Sequence, residues 1–344
     1  MRALRVLGPG GWQVQLVDTQ GPLALGEGEV VLATLAVGVC GSDVHAWHGT
    51  QTYPMKYPVT LGHEAVGRIA EIGPGVTGWS VGERVVSETA RSVCGACLSC
   101  REGRYNLCAE RLGFGALYDG AMAETFVSRA QILHRVPDDV PDEVLAVTEP
   151  YCVAYNAVVE RARVRPGDVV TIIGPGPVGM FSAQVALAAG AATVHVAGLP
   201  GDEARLAVAA ASGAVAVTAE GPWWEEPGRS GTSDLVVDAS GASGTLEPAL
   251  GLVRPGGQVV KVGWGPEPYG RPLDVLVAKA VELHGSFSHT WATWERVLRL
   301  MGLGRLSPSP AGAAAGLRTY TLTDWRAAFT AMAERRVVKS VLVL

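Results

Sequence analysis

The sequence is poor in lysine and carries no surplus of positive charge. Only four of its 344 residues are lysine, and 28 Lys and Arg residues face 33 Asp and Glu residues, for a formal net charge of −5. A nucleic-acid-binding surface needs clustered basic side chains. We therefore expect no nucleic-acid partner.

Long apolar runs are also lacking. No uninterrupted hydrophobic stretch reaches the ~20 residues of a membrane-spanning helix, and residues 1–4 open directly into a strand pattern without a signal peptide. These absences predict a cytoplasmic protein with no membrane partner. Cysteine is scarce as well, with six residues, and in a reducing compartment cysteines indicate metal ligation before disulfides.

Two Gly-rich turns carry the first candidate metal ligands. Cys40 precedes Gly41, and His63 and Glu64 follow Gly62. Zn²⁺ accepts a thiolate, an imidazole and a carboxylate, and three protein ligands leave the open position that a catalytic zinc needs. A single buried cysteine or a satisfied histidine is common, but core packing gives little reason for either on such turns. The metal interpretation is therefore favoured.

Three further side chains could serve this site. Glu149 could supply a fourth, exchangeable oxygen ligand. Ser42 and His45 follow Cys40 closely and offer a hydroxyl and an imidazole that could pass a proton outward. Ser42 could also be an ordinary turn hydroxyl, but the metal ligands on either side favour a catalytic role.

Four cysteines form a second cluster within one short segment. They are separated by two, two and seven residues, at Cys94, Cys97, Cys100 and Cys108. Four thiolates can enclose a tetrahedral ion completely, which is typical of a structural zinc site. An iron–sulfur centre also accepts four cysteines, and a redox dithiol needs only one Cys-x-x-Cys pair. We favour structural zinc, which would hold a Gly-rich loop that cannot fold on its own packing.

The pattern of secondary structure changes near residue 150. Residues 1–85 alternate apolar and polar side chains between Gly and Pro turns, which predicts a small β-rich barrel or sandwich. From about residue 151 to 288, apolar strands alternate with helical segments, which predicts a doubly wound parallel sheet. Two helices and a final strand, 338–344, follow and are predicted to return to the first domain.

A glycine-rich turn marks the nucleotide site of this sheet. It lies between the apolar strand Val169–Ile173 and a helical segment, which is the context that a dinucleotide-binding fingerprint requires. Glycines let backbone N–H groups approach a pyrophosphate at the helix N-terminus. The predicted cofactor contacts in this turn are Gly174, Gly176, Pro177, Val178 and Gly179.

Together these motifs resemble the zinc-dependent medium-chain dehydrogenase/reductase family over nearly the whole chain. The polyol (sorbitol-type) and threonine dehydrogenase branch is the most similar, since it has glutamate where primary-alcohol enzymes have a second cysteine ligand. The resemblance implies an α/β protein with a GroES-like catalytic domain (1–150 and 289–344, zinc lobe about 91–110) around a Rossmann domain (151–288). It also implies a homotetramer or homodimer.

The resemblance assigns roles to the candidate residues. Cys40, His63 and Glu64 would hold the catalytic zinc, with Glu149 as an alternative or transient ligand, and the four clustered cysteines would hold a second zinc. The implied reaction oxidises a polar secondary alcohol to a ketone and passes hydride to NAD or NADP. Zinc would acidify the hydroxyl, as it lowers the pKa of bound water from 15.7 to about 7. Ser42 would accept the proton first and pass it through the cofactor ribose to His45.

Three departures from the branch bear on cofactor and substrate. The second Rossmann strand ends at Gly198 without the acidic residue that binds an NAD ribose. We predict a slight preference for NADP, with room at Gly198 and Arg205 as the nearest cation, although Asp202 or Glu203 could bind a ribose diol. Ser288-His289 replaces an Arg-Tyr pair, and Ala46 replaces a tyrosine. The substrate therefore stays open among a sugar alcohol, its phosphate and a hydroxy-amino acid.

Two other interpretations compete. One is a zinc-free quinone-type reductase of the same fold, which the presence of Cys40 with His63 opposes. The other is a non-catalytic zinc and nucleotide sensor in which the cysteine cluster acts as a redox switch. The sequence gives no account of the adjacent Trp223 and Trp224.

Overall fold

The computed structural model describes residues 1–21, 24–265, 269, 273–311 and 313–344. The elements before residue 165 are β1 (Arg2–Val6), β2 (Val14–Asp18), β3 (Glu29–Gly38), α1 (Gly41–His48), β4 (Val59–Thr60), β5 (Ala65–Ile72), β6 (Arg84–Ser87), β7 (Ala90–Ser92), α2 (Leu98–Arg101), β8 (Leu112–Gly113), β9 (Thr125–Arg129), β10 (Leu133–Arg135), α3 (Asp142–Leu145) and α4 (Thr148–Tyr155). The later elements are β11 (Val169–Ile173), α5 (Pro177–Ala188), β12 (Thr193–Gly198), α6 (Glu203–Ala211), β13 (Val215–Thr218), β14 (Ser233–Asp238), α7 (Leu246–Leu252), β15 (Val253–Lys261), α8 (Asp274–Lys279), β16 (Glu282–Gly285), α9 (Trp291–Gly302), β17 (Leu317–Thr321), α10 (Trp325–Ala333) and β18 (Lys339–Val343).

The two ends of the chain share one sheet. Its strands run in the order β10-β6-β5-β3-β18-β17, and β9 also pairs with β3. Strand β18 lies antiparallel to β3, with Val341 opposite Gly38, and parallel to β17. A smaller sheet of order β2-β1-β4 lies beside it. The β-rich character predicted for the first domain is confirmed, while the exact domain boundaries stay a prediction.

The central part of the chain forms a six-stranded parallel sheet. Its order is β13-β12-β11-β14-β15-β16, so β11 lies between its sequence neighbour β12 and the later strand β14. Residues on β11 are buried because helices cover both faces, which explains the continuous apolar sequence of this strand. The order reverses direction at β11, and ligands of doubly wound sheets bind at such a switch point. The predicted doubly wound α/β fold is confirmed.

One hydrophobic core joins the two sheets. It contains Val66 and Val341 from the first sheet together with Val170 from the second sheet and Phe181 from helix α5. Helix α4 lies in this junction and packs against both α5 and α9. A side chain at the start of α4 is therefore held between the terminal sheet and the parallel sheet.

The tandem tryptophans pack against one edge of the parallel sheet. Trp223 is buried, and both rings belong to a cluster that includes Leu250 of α7. A Cβ at Gly251 would lie 2.6 Å from Trp224 Cδ1, so the helix presents a glycine where the indole approaches. The pair is thus a structural element, which the sequence alone did not explain. Among the described residues, no helix is long and apolar enough to cross a membrane.

Candidate active site

The turn after β3 places Cys40 at the start of α1. Cys40 has an extended backbone, and its N–H donates to Asp43 Oδ2 at 2.9 Å. Asp43 is almost fully buried, so its carboxylate fixes the turn instead of facing solvent. Val39 N–H donates to Ser340 O at 2.9 Å, which joins this turn to β18. The Cys40 thiol is therefore positioned by both ends of the chain.

Gly62 directs the other two predicted ligands towards Cys40. Its φ is +94°, and a Cβ there would lie 2.8 Å from Met122 N, so glycine is required. The sulfur of Cys40, a ring nitrogen of His63 and a carboxylate oxygen of Glu64 lie within 4.8 Å of one another. The structure thus brings together the three residues that the sequence proposed as ligands.

Negative groups surround the His63 ring. Burial by itself lowers the pKa of His63, but the Cys40 sulfur, Asp43 and Glu149 outweigh burial and raise this pKa to about 10. A buried centre that attracts a proton so strongly also attracts a metal cation. The negative electrostatic potential at the His63 ring is what closely spaced thiolate and carboxylate groups produce.

A buried lysine that sequence analysis missed lies against Glu64. Lys339 Nζ donates to Glu64 Oε1 at 2.7 Å and lies 2.6 Å from Oε2, where the geometry is not that of a hydrogen bond. Burial lowers the pKa of Lys339, but Glu64 and Cys40 outweigh burial and raise it, so the ammonium stays charged. A Cβ at Gly38 would overlap Glu64 Oε2. The available signal in the sequence was a lysine in a final strand whose other residues are apolar except for Ser340.

Glu149 lies beside the cluster, at the first turn of α4. Its Oε1 accepts hydrogen bonds from Thr89 Oγ1 and His289 Nε2, both at 3.2 Å. Trp294 Nε1 donates to His289 Nδ1 at 2.7 Å, which leaves the ring proton on Nε2 to face Glu149. Burial raises the pKa of Glu149, but His289 in particular outweighs it and brings this pKa to about 2. Glu149 is thus an ionised carboxylate, although it lies outside the 4.8 Å ligand group.

The proposed proton-relay residues lie on α1. Ser42 is half-buried, and its carbonyl accepts a hydrogen bond from Tyr53 OH at 2.9 Å. His45 is exposed one helical turn later, and its Nδ1 lies 2.9 Å from Thr50 Oγ1. Side chains three residues apart lie on the same helix face. The two groups therefore lead from the interior towards solvent.

The four clustered cysteines face one another. Their sulfurs all lie within 4.8 Å, with Cys94 Sγ 3.9 Å from Cys100 Sγ and 3.6 Å from Cys108 Sγ. These distances match the edge of about 3.8 Å that Zn–S bonds of about 2.3 Å give in a tetrahedron. Backbone N–H groups of Ala96 and Cys97 lower the pKa of Cys94 to about 7. The four sulfurs thus have the arrangement that a tetrahedral metal ion requires, and all six cysteines are free of disulfides.

The glycine-rich turn lies at the carboxyl end of β11. Gly174 has φ +101°, and a Cβ at Gly179 would overlap Gly174 O. A Cβ at Gly176 would have no neighbour within 4 Å, so its backbone faces open space where α5 begins. Pro177 and Val178 form the first helical turn. Open backbone N–H groups at this helix N-terminus can receive a pyrophosphate.

Two expectations for cofactor selection need correction. Space at Gly198 is already filled, since a Cβ there would lie 2.8 Å from Pro175 Cγ and 3.1 Å from Asp202 Cβ. Arg205 is buried and donates to Met332 O and Val337 O at 3.2 and 2.8 Å. Its guanidinium therefore joins α6 to the C-terminal segment and is not free to bind a 2′-phosphate.

Comparison with known proteins agrees with this geometry. Residues 26–138 match the model of the alcohol dehydrogenase GroES-like domain, and residues 177–302 match that of the zinc-binding dehydrogenases. A sorbitol dehydrogenase of Halalkalibacterium halodurans is 35% identical, with 92% of each chain covered. A D-arabitol-phosphate dehydrogenase of Enterococcus avium is 31% identical, with 99% of this chain and 97% of the relative covered. The crystal structure of the alcohol dehydrogenase rspB from E. coli CFT073, complexed with NADH, covers 100% of this chain and 99% of its own at 25% identity, with a TM-score of 0.89.

Proposed function

The chain belongs to the zinc-dependent medium-chain dehydrogenase/reductase family, in its polyol dehydrogenase branch, and from this premise we propose that it oxidises a secondary hydroxyl of a sugar alcohol or its phosphate. The product is a ketone, and hydride passes to a nicotinamide cofactor. The single observation that carries this proposal is the convergence of Cys40, His63 and Glu64 within 4.8 Å. A zinc-free reductase of this fold has no need for such a set of donors.

The donor set fits a catalytic zinc. Sulfur, imidazole and carboxylate are present once each, and buried Glu64 Oε2 makes no hydrogen bond of accepted geometry although Lys339 Nζ lies 2.6 Å away. Zinc bound there supplies Lewis acidity that favours loss of the substrate hydroxyl proton. Lys339 holds the Glu64 carboxylate, and Asp43 holds the Cys40 turn, so both ligands are oriented by buried partners. Glu149 is the candidate for a transient ligand.

The proposed proton path uses residues of α1. Ser42 would receive the proton of the hydroxyl and pass it by way of the ribose of a bound cofactor to His45, which would release it to solvent. The half-buried position of Ser42 and the exposed position of His45 support this order. Glu149 stays ionised beside the site because His289 and Thr89 donate to it, so it adds negative charge that favours a bound cation.

We assign a second, structural zinc to Cys94, Cys97, Cys100 and Cys108. The sulfur separations of 3.6 and 3.9 Å support tetrahedral ligation. The segment between them contains two single helical turns, α2 and a 3-10 turn at Tyr105–Leu107, and neither turn buries an apolar side chain. Metal binding would therefore provide the stability that packing does not.

We propose NADP as the preferred cofactor, with Arg335 taking the role first considered for Arg205. No acidic residue lies at the end of β12, and the Asp202 carboxylate accepts the Leu199 N–H at 3.0 Å. Arg335 NH1 lies 3.7 Å from Asp202, and its side chain is half-exposed. Matched steady-state kinetics with NAD and NADP test this preference, and an unchanged ratio in Arg335→Ala would contradict the role of Arg335.

We also propose that the chain forms a homodimer or homotetramer. Strand β16 lies at a sheet edge and exposes Leu283, and Trp264 and Val277 are exposed on the part of the chain that precedes this strand. An unpaired edge strand with exposed apolar side chains favours association. Light scattering measures the assembly, and a monomer at micromolar concentration would contradict it. The cytoplasmic location stays a prediction.

One experiment tests the main proposal. Purified protein is analysed for zinc per chain and assayed with D-sorbitol, D-arabitol, their phosphates and L-threonine, each with NAD and with NADP. We expect two zinc ions per chain and turnover of at least one polyol or polyol phosphate. Cofactor binding without turnover on any of these alcohols would support the sensor interpretation instead.

A further inference from the structure

Arg111 is a cation without a carboxylate partner, close to the candidate active site. Its side chain is mostly buried, and Nε makes no hydrogen bond. Nη2 donates to Ser288 Oγ at 3.3 Å, and the guanidinium lies 5.4 Å from the centre of the Phe287 ring. Among the described residues Arg111 forms no ion pair within 4.0 Å, and Glu149 and Glu88 act on its charge only from a longer distance. Burial lowers the pKa of Arg111, which shows that solvation of this charge is incomplete.

The two carboxylates that most favour the charged form of Arg111, Glu149 and Glu88, make their hydrogen bonds to other residues. Glu88 is buried and accepts from Tyr105 OH at 2.9 and 2.8 Å, while His134 Nε2 lies 3.3 Å from its Oε1. Glu149 accepts from Thr89 and His289. An arginine that is largely desolvated and unpaired costs free energy unless a ligand supplies the missing charge. Glu149 and Glu88 favour the charged form of Arg111 but offset the effect of burial only in part, so among the described residues the guanidinium has no anion in direct contact.

Ser288 is held in an unusual conformation that presents its hydroxyl to Arg111. Its φ is +56°, in the left-handed region that non-glycine residues rarely adopt. Asn156 Nδ2 donates to Ser288 O at 2.8 Å, and Asn106 Nδ2 donates to Phe287 O at 2.8 Å. Two buried asparagines thus fix this turn. The residue after Ser288 is His289, which binds Glu149, so the turn connects Arg111 directly to the catalytic region.

We propose that Arg111, supported by Ser288, binds the phosphate group of a phosphorylated polyol substrate, an inference that rests on the proposed function. A guanidinium presents a planar fork of N–H donors that matches phosphate oxygens in pairs. A neutral hydroxyl would accept one hydrogen bond and leave the charge uncompensated. Arg111 is then a specificity-determining residue, and the enzyme prefers a polyol phosphate to the free polyol.

The test compares D-arabitol with D-arabitol phosphate on the zinc-loaded enzyme. We expect wild type to prefer the phosphate, and Arg111→Met to lower kcat/KM for the phosphate on the order of 100-fold, the loss typical of removing one partner of a charged pair. The value for D-arabitol should stay within about threefold. Arg101→Met is the matched control, since Arg101 is an exposed arginine of the same lobe, and it should change neither value.

Two further measurements separate binding from folding. Inorganic phosphate should raise the Tm of wild type but not of Arg111→Met. If Arg111→Met does not fold, Arg111→Lys replaces it, because lysine keeps the charge and loses the fork; we expect about a tenfold loss on the phosphate alone.

Equal losses on both substrates would show a structural role and overturn the proposal, as would a wild-type preference for free D-arabitol. Failure of the proposed function is distinguishable, because wild type would then oxidise neither substrate.

Discussion

Replacing Lys339 with methionine should destabilise the metal-free protein by about 3–5 kcal/mol, the cost of leaving a buried charge without its partner. Lys339 and Glu64 have side chains that are 1% and 0% exposed, and their charged atoms lie 2.6 Å apart. At an effective dielectric of about 20, that separation corresponds to a gross attraction of about 6 kcal/mol. Methionine fills a similar volume, so loss of charge compensation and not a cavity accounts for the effect.

Zinc should reduce this penalty. A cation bound by Cys40, His63 and Glu64 compensates the Glu64 carboxylate in place of the missing ammonium. The difference in unfolding free energy between wild type and Lys339→Met should therefore be smaller with zinc than after chelation. Lys56→Met is the control, because Lys56 is exposed, and we expect a change within about 0.5 kcal/mol.

Urea denaturation of both variants, with and without chelator, measures these differences. The double variant Glu64→Gln, Lys339→Met should recover part of the loss, with a coupling of about 1–3 kcal/mol. Our reasoning is refuted if Lys339→Met is as stable as Lys56→Met in the metal-free protein, or if the double-variant cycle shows no coupling.

Three further predictions concern the two candidate zinc sites and Glu149. Cys40→Ser should abolish turnover and lower the zinc content by one ion per chain while the circular dichroism spectrum is retained; full activity would exclude a catalytic zinc on Cys40. Cys97→Ser should release the other zinc and lower the Tm, because α2 buries no side chain of its own; an unchanged Tm would oppose a structural metal. His289→Phe removes the hydrogen bond that contributes most to lowering the pKa of Glu149, whose value is about 2 in the present structure. That pKa should rise towards the ordinary glutamate value of about 4.3. Activity that needs ionised Glu149 should then begin to fall at a higher pH in the variant than in wild type when the solution is acidified. An acid limb of the kcat/KM profile that does not move would contradict this role.

Much of the fold could be predicted because its signals are local. The apolar strand Val169–Ile173, the glycine turn after it and the helix that follows are contiguous, and each acts through its immediate neighbours in the chain. The structure gives β11 the same bounds and begins α5 at Pro177. Strand β13 was not predicted, since three of its four residues are exposed and its pattern lacks a buried face.

The candidate metal ligands could be found from the sequence for a similar reason. Cysteine, histidine and glutamate next to glycine turns can be recognised in the sequence without knowledge of their positions in the fold. The four cysteines of the second cluster lie within 15 consecutive positions. Their donor chemistry is a property of residue type. Spacing was sufficient to propose the sites, although convergence of Cys40 with His63 depends on the pairing of β3 with β5 and β18.

What surrounds those ligands was decided only by the tertiary structure. Lys339 reaches Glu64 across 275 positions of sequence, and Arg111 reaches Ser288 across 177. Arg205 shows that tertiary structure can also remove a predicted role. Its position in the sequence suits a cofactor phosphate, but its guanidinium donates to backbone carbonyls of the C-terminal segment. The chemical capacity of a side chain is therefore set by its type, whereas its pKa, its partner and its access to ligand depend on which distant strands and helices pack against it.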